Sequence, residues 1–144
     1  MRNIAIYKAT LDNEEIDQLK SVLQAKDDLS KVLEFEEKMV KYIGAKYAIA
    51  TATSTAALHL ALSSMRLKRG DKVLMSVNSF VNLPETVRHF DAEPIFVDIN
   101  LEDMNLDIEK FEEAIIANKS KKLRAAIITF IGGLAPNLDK IYEI

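Results

Sequence analysis

The 144-residue chain has no cysteine, no tryptophan, four glycines, three prolines and two histidines. Without cysteine there can be no disulfide, thiolate nucleophile, zinc ribbon or iron–sulfur cluster. His59 and His89 are too few for a classical metal site without several carboxylates, and no metal site is expected. So little glycine and proline excludes collagen-like and low-complexity chains. There is no basic surplus either: 19 Lys and Arg against 22 Asp and Glu leave a formal charge of −3. Nothing draws such a chain onto phosphate backbones, so nucleic acid is not expected as a partner. No apolar run approaches the ~18 residues that would span a membrane. The opening MRNIAIYKATLDNEE has no apolar stretch long enough for a signal peptide, so a cytoplasmic location is expected.

Hydrophobic residues make up 49% of the chain, enough for a core and against disorder. Their spacing alternates between helix-like and strand-like. Helices are predicted over 12–24 (Ile16, Leu19, Leu23 on one face, Asp12 or Asn13 as cap) and over 31–43 (Val32, Phe35, Met39, Ile43), the second ending at Gly44. Residues 47–50 read as a short strand. Residues 55–67 read as a helix with a stripe of Leu58, Ala61, Leu62 and Met65, widened by Leu60 and Leu67 and closed by Lys68, Arg69 and Gly70. Strands follow at 72–76, 94–99 and 123–131. Helices are expected at 83–90, at 107–118 (capped by Asp107) and from Asn137 onward. Alternating strands and helices mean a mainly parallel sheet with helices on both faces, preceded here by two N-terminal helices. The expected division is N-terminal helices at about 12–43 and an α/β part at about 46–144. The last helix has barely begun at Ile144, so the chain is expected to be incomplete.

Ligands of open α/β sheets gather at the C-terminal ends of the strands. The first such end, Ala50-Thr51-Ala52-Thr53-Ser54-Thr55-Ala56-Ala57, leads hydroxyls directly into a helix. Free amides, the positive end of the dipole and hydroxyls could hold a phosphate there. It lacks the glycines and lysine of the known phosphate loops. On composition alone the plainer reading, a Ser or Thr N-cap without ligand, is favoured. At the second end Phe80 could stack on a flat ligand, against the commoner role of a core aromatic. Asp98, at the third, could act catalytically but more often such a residue caps its own turn. Gly132 and Gly133 offer a flexible loop at the fourth. His59 reads as a core histidine and His89 as a surface one. Glu34, Glu36 and Glu37 read as a solvated face with one partly buried carboxylate, and Lys119–Lys122 as a wet loop.

In this order the segments resemble the DegT/StrS family of sugar aminotransferases, fold-type I enzymes that use pyridoxal phosphate. The resemblance rests on Leu33-Glu34-Phe35-Glu36 with Tyr42-Ile43-Gly44; Thr53-Ser54-Thr55-Ala56-Ala57-Leu58-His59-Leu60-Ala61-Leu62; Arg69-Gly70-Asp71-Lys72-Val73; Ser79-Phe80; Pro94-Ile95-Phe96-Val97-Asp98; and Gly133 to Asp139. The resemblance implies the N-terminal part of a fold-type I large domain with pyridoxal phosphate as cofactor. It implies that Ser54 and Thr55 bind the cofactor phosphate and that Phe80 stacks on its ring. His59 and Asp98 match common family positions and are given structural roles. Ser54, Asp91 and Phe130 stand where the family usually has Gly or Ala, Gly and His.

The implied activity is transfer of an amino group, from glutamate by family habit, to a nucleotide-linked keto sugar at a homodimer interface. The family's Schiff-base lysine, pyridine-pairing aspartate and neighbouring glutamine lie beyond the position of Ile144, and no residue here is assigned as catalytic. The chain alone is therefore expected not to transaminate. In the family the first strand lies apart from the next three, which implies apolar edges left unpaired and oligomerisation or a second polypeptide to cover them. The competing readings are a non-catalytic fragment or interaction module of the same fold, and an unrelated phosphate-binding α/β domain with its first two strands adjacent.

Overall fold

A computed structural model describes residues 8–25 and 30–144; the first seven residues of the opening segment lie outside it. The chain divides into two units, Met1–Ala50 and Thr51–Ile144.

In the first unit, α1 spans Asn13–Gln24 and α2 spans Ser30–Ile43. Asp12 caps α1 in a reciprocal box. Its carboxylate accepts from the Glu14 amide at 2.8 Å, and the Glu15 carboxylate accepts from the Asp12 amide at 2.7 Å. Gly44, at φ +74°, ends α2 in the left-handed turn that glycine adopts without cost. The apolar faces expected on both helices are present, yet no described residue of either is buried. Periodicity sets which side chains share a face, not what covers it.

The strand expected at 47–50 does not form. Tyr47 and Ile49 are 75% and 77% exposed, and the segment joins no ladder. A strand needs a neighbour for its amides and carbonyls, and apolar character alone supplies none. The segment is tethered instead by the Ala50 amide donating to Glu36 Oε1 at 2.8 Å. Where one partly buried carboxylate is expected among the three, Glu34 and Glu36 are both half-buried and Glu37 is exposed.

Glu34 accepts from the ammonium groups of Lys31 at 2.8 Å and Lys38 at 2.7 Å. Those bonds, Lys31 first, lower its pKa from 4.5 to about 2. The folded value is depressed, so the triad favours the folded helix above the ordinary value and loses that contribution as pH falls through about 2. A carboxyl carbon titration followed by NMR is expected to place the Glu34 midpoint near 2, and near 4.5 in a Lys31→Met, Lys38→Met double variant.

The second unit is built on β1 (Lys72–Ser76), β2 (Glu93–Val97) and β3 (Leu123–Ile127), all parallel, in the order β2-β1-β3. Leu74 pairs with Ile95 on one side and Ala126 on the other. Among the described residues, nothing pairs with the outer edges of β2 and β3. The central strand is buried from Val73 to Ser76. Its side chains alternate, so Val73 and Met75 join Leu62, Val87 and Ala92 on one face, while Leu74 joins Val97, Leu106 and Phe111 on the other. The first layer is covered by α3 (Ser54–Ser64) and α4 (Asn82–His89). The second is covered by α5 (Ile108–Ala117) and α6 (Leu138–Glu143), which contributes Ile141.

Several boundaries differ from expectation. Helix α3 stops at Ser64, because Arg66 turns into the left-handed region at φ +53°; Leu67 packs on the core from the loop beyond. The helix is covered on one side only: Leu62 is buried, whereas Leu60 is more than half exposed. His59, read as a core residue, is exposed and sits over Phe90 with ring centroids 4.7 Å apart. Strand β2 ends at Val97, and Ile99 forms a single antiparallel bridge with Leu106. Strand β3 ends at Ile127 and leads to a 3-10 turn at Ile131–Gly133.

Asp71 is buried between β1 and the preceding turn. It accepts from the Lys68 amide at 2.8 Å, and Lys122 Nζ lies 3.4 Å away. The amide bond first, and Lys122 with it, hold its carboxyl below the usual range. Asp91 adopts φ +53°, a conformation aspartate tolerates better than bulkier residues, and its carbonyl accepts the Gly70 amide at 3.0 Å.

Candidate functional site

The helix entering from Thr51 provides the clearest ligand geometry. Thr53 is extended and caps α3, its Oγ1 accepting the Ala56 amide at 3.1 Å. The Thr53 carbonyl takes the first helical bond, from Ala57 at 3.1 Å, and the Thr51 hydroxyl, at 2.9 Å. This leaves the amides of Ser54 and Thr55 without a partner among the described residues. They are the two outermost donors at the positive end of an 11-residue helix, and both residues are exposed. The helix begins one residue earlier than its periodicity suggests. Ser54 and Thr55 therefore supply its first two amides.

Thr55 is also fixed from outside its helix. Asn82 Nδ2, in the first turn of α4, donates to Thr55 Oγ1 at 2.9 Å. Phe80 lies two positions before Asn82, and its carbonyl accepts the Leu83 amide at 3.0 Å. The Phe80 ring is 72% exposed. The core role that composition favours for it is thus overturned: the strand has ended at Ser76, and the ring stands at its mouth. Thr55 and the Phe80 loop are joined through Asn82, a residue that no motif in the sequence marks. An amide side chain opening a helix just after a strand end is the available signal.

The other candidates do not join this corner. The Asp98 carboxylate accepts its neighbour's amide, from Ile99 at 2.8 Å, as a turn residue does. Asn105, unremarked in the sequence, is buried. It accepts from the Ile131 amide at 3.0 Å and donates to the Leu134 carbonyl at 3.1 Å, pinning the glycine loop. His59 and His89 have ring centroids 6.1 Å apart, and among the described residues no group of three or more His, Asp or Glu could hold a metal. No helix among them is long and apolar enough to cross a membrane.

The profile of the DegT/DnrJ/EryC1/StrS aminotransferase family matches residues 9–144. The chain belongs to this family. It is 34% identical to a GDP-perosamine synthase of Caulobacter vibrioides over 78% of the chain and 29% of that protein. It is 33% identical to the spore coat polysaccharide biosynthesis protein SpsC of Bacillus subtilis over 79% of the chain and 28% of that protein. Its structure superposes on an E. coli GDP-4-keto-6-deoxy-D-mannose-3-dehydratase with bound hydrated PLP at a TM-score of 0.86, with 25% identity, over 99% of this chain and 38% of the other. The chain thus spans about a third of the length of the family members it matches. The expected fold holds, as a partial fold-type I large domain. The reading as an unrelated phosphate-binding domain is set aside by membership of the family.

The residues present fit pyridoxal phosphate. Two unpaired amides and two hydroxyls at a helix N-terminus match a phosphate, and an exposed aromatic at the adjoining strand end matches a flat ring.

Proposed function

We propose that this chain supplies the cofactor-seating corner of a pyridoxal-phosphate-dependent aminotransferase of the nucleotide-sugar type. The amino group passes from glutamate to a nucleotide-linked keto sugar, and the working form is a homodimer. The observation that carries this reading is the pair of unpartnered amides at Ser54 and Thr55, in a family whose solved members include a PLP-bound form. Ser54 and Thr55 bind the phosphate through those amides and their hydroxyls. The exposed ring of Phe80 covers one face of the pyridine and excludes water from it. When bound, the cofactor supplies an aldehyde for the amino group and a ring that accepts electrons from the substrate carbon.

The lysines of Thr51–Ile144 lie elsewhere. Lys68, Lys72, Lys121 and Lys122 are at the N-terminal ends of β1 and β3, and Lys110, Lys119 and Lys140 belong to the α5–α6 side of the sheet. The cofactor-bonding lysine is therefore assigned outside this unit. Reduction of the 144-residue chain with borohydride in the presence of pyridoxal phosphate is expected to leave no stoichiometric product on a single lysine. Turnover of glutamate is expected not to exceed that of free cofactor. A single fully labelled lysine within Thr51–Ile144 would overturn that assignment, and one within Met1–Ala50 would overturn the expectation that the chain alone does not transaminate.

The cradle itself is tested by amide NMR. Pyridoxal phosphate is expected to shift Ser54 and Thr55 saturably, and pyridoxal, which lacks the phosphate, is expected to leave them in place. Equal shifts with both compounds, or none with the phosphate, would overturn the reading.

A further inference from the structure

We propose that Asn82 is a positioning residue that makes the Thr55 hydroxyl a committed donor to an anionic oxygen. The inference rests on the cofactor-seating reading above. A hydroxyl can donate once and accept twice. Asn82 Nδ2 donates to Thr55 Oγ1 at 2.9 Å, so the Thr55 proton is turned away from Asn82 and is free to be given. A phosphate accepts and, fully ionised, donates nothing; the bond suits a phosphate and would be ill-suited to a donor ligand.

A second observation separates this role from ordinary helix packing. Asn82 Oδ1 is buried and has no hydrogen-bond partner. A buried unpaired acceptor is costly, and groups in that state call for a reason. The first turn of α4 does not supply one. It is served by the Asn82 carbonyl, which accepts from the Thr86 hydroxyl at 2.7 Å. The side-chain amide does one visible thing, which is to hold Thr55. The same bond ties the phosphate cradle to the loop that carries Phe80, so the two halves of the site are registered by one side chain.

The charge argument gives a test that a structural role would not pass. In Asn82→Asp the carboxylate has no proton to donate. It would accept from Thr55, reverse the hydroxyl and place a negative charge beside the anion. The helix dipole favours an acid in the first turn of α4, but the buried oxygen would then carry unpaired charge, so binding is compared at a temperature where wild type and variant are both folded. Lowering the pH protonates the aspartic acid, restores a donor and should restore binding relative to wild type.

The probe is deoxypyridoxine 5′-phosphate, which lacks the aldehyde and so cannot react with lysine. Its affinity is read from the Ser54 and Thr55 amide shifts of the full 144-residue chain between pH 7.5 and 4.5. Asn82→Ala is expected to weaken binding about three- to tenfold, and Asn82→Asp about ten- to a hundredfold at pH 7.5, with recovery on acidification, each variant being measured well below its own melting temperature. If wild-type amides fail to respond, the cradle is overturned and the proposal with it. If they respond and Asn82→Asp binds as wild type does, or loses affinity with no dependence on pH, the cradle stands and the role of Asn82 is overturned.

Discussion

Phe111→Ala is expected to lower the unfolding free energy by about 3–5 kcal/mol, measured by urea denaturation with circular dichroism. Phe111 is 3% exposed on α5 and closes the layer formed with Leu74, Val97 and Leu106. That layer is small, so each member carries a large share of it. Removing the ring forfeits its transfer free energy and leaves a cavity between helix and sheet that the strands cannot collapse to fill. Ile116 on the same helix is 66% exposed, and Ile116→Ala is expected to stay within about 0.5 kcal/mol of wild type. The pair controls for helix propensity, which alanine improves in both. A Phe111→Ala effect as small as that of Ile116→Ala would mean that the α5 layer is not packed as described.

Asn105→Ala is expected to cost about 1–3 kcal/mol, from removing a buried side chain and its two hydrogen bonds to the glycine loop. Its side chain reaches across to the glycine loop, accepting from Ile131 and donating to Leu134, while its own carbonyl accepts from Asn100 at 2.9 Å. Loops seldom offer each other regular ladders, so this side chain stands in for one. Hydrogen exchange at the Ile131 amide is expected to accelerate in the variant well beyond the change in global stability. Asn105→Asp separates the two bonds: a carboxylate keeps the acceptor for Ile131 and loses the donor for Leu134, so part of the protection should survive. Unchanged exchange at Ile131 would remove Asn105 as the link between the loops.

Much of the fold was legible residue by residue. The run Lys72–Ser76 is legible with its observed ends because a fully buried parallel strand is a short unbroken apolar stretch, and Gly70 marks the turn before it. Asp107, and Asp12 as an alternative to Asn13, are legible as caps because their side chains can accept amides that the helix leaves free, and both do; Asn137, expected to begin the last helix, caps it in the same way. The end of β3 was not legible. Ile128 to Ile131 are as apolar as the strand before them, yet the ladder with β1 stops at Met75 and Ile127. The end of α3 escaped for a similar reason, since Leu67 fits the helical stripe but reaches the core from a turn made by Arg66.

The candidate site divides along the same line. Local sequence determined that hydroxyl-bearing residues open α3 and that Ser54 and Thr55 stand at its start, because capping and periodicity act over only a few residues. It determined the family as well, through segments kept in order along the chain. Only the tertiary structure decided that the Phe80 ring faces outward, that the 47–50 segment has no strand to pair with, and that Asn82 reaches Thr55 from another helix. Those facts depend on what the sheet brings together across long separations. A hydrogen-bond partner or a covering side chain is supplied by a different part of the chain, and no local pattern encodes which one it will be.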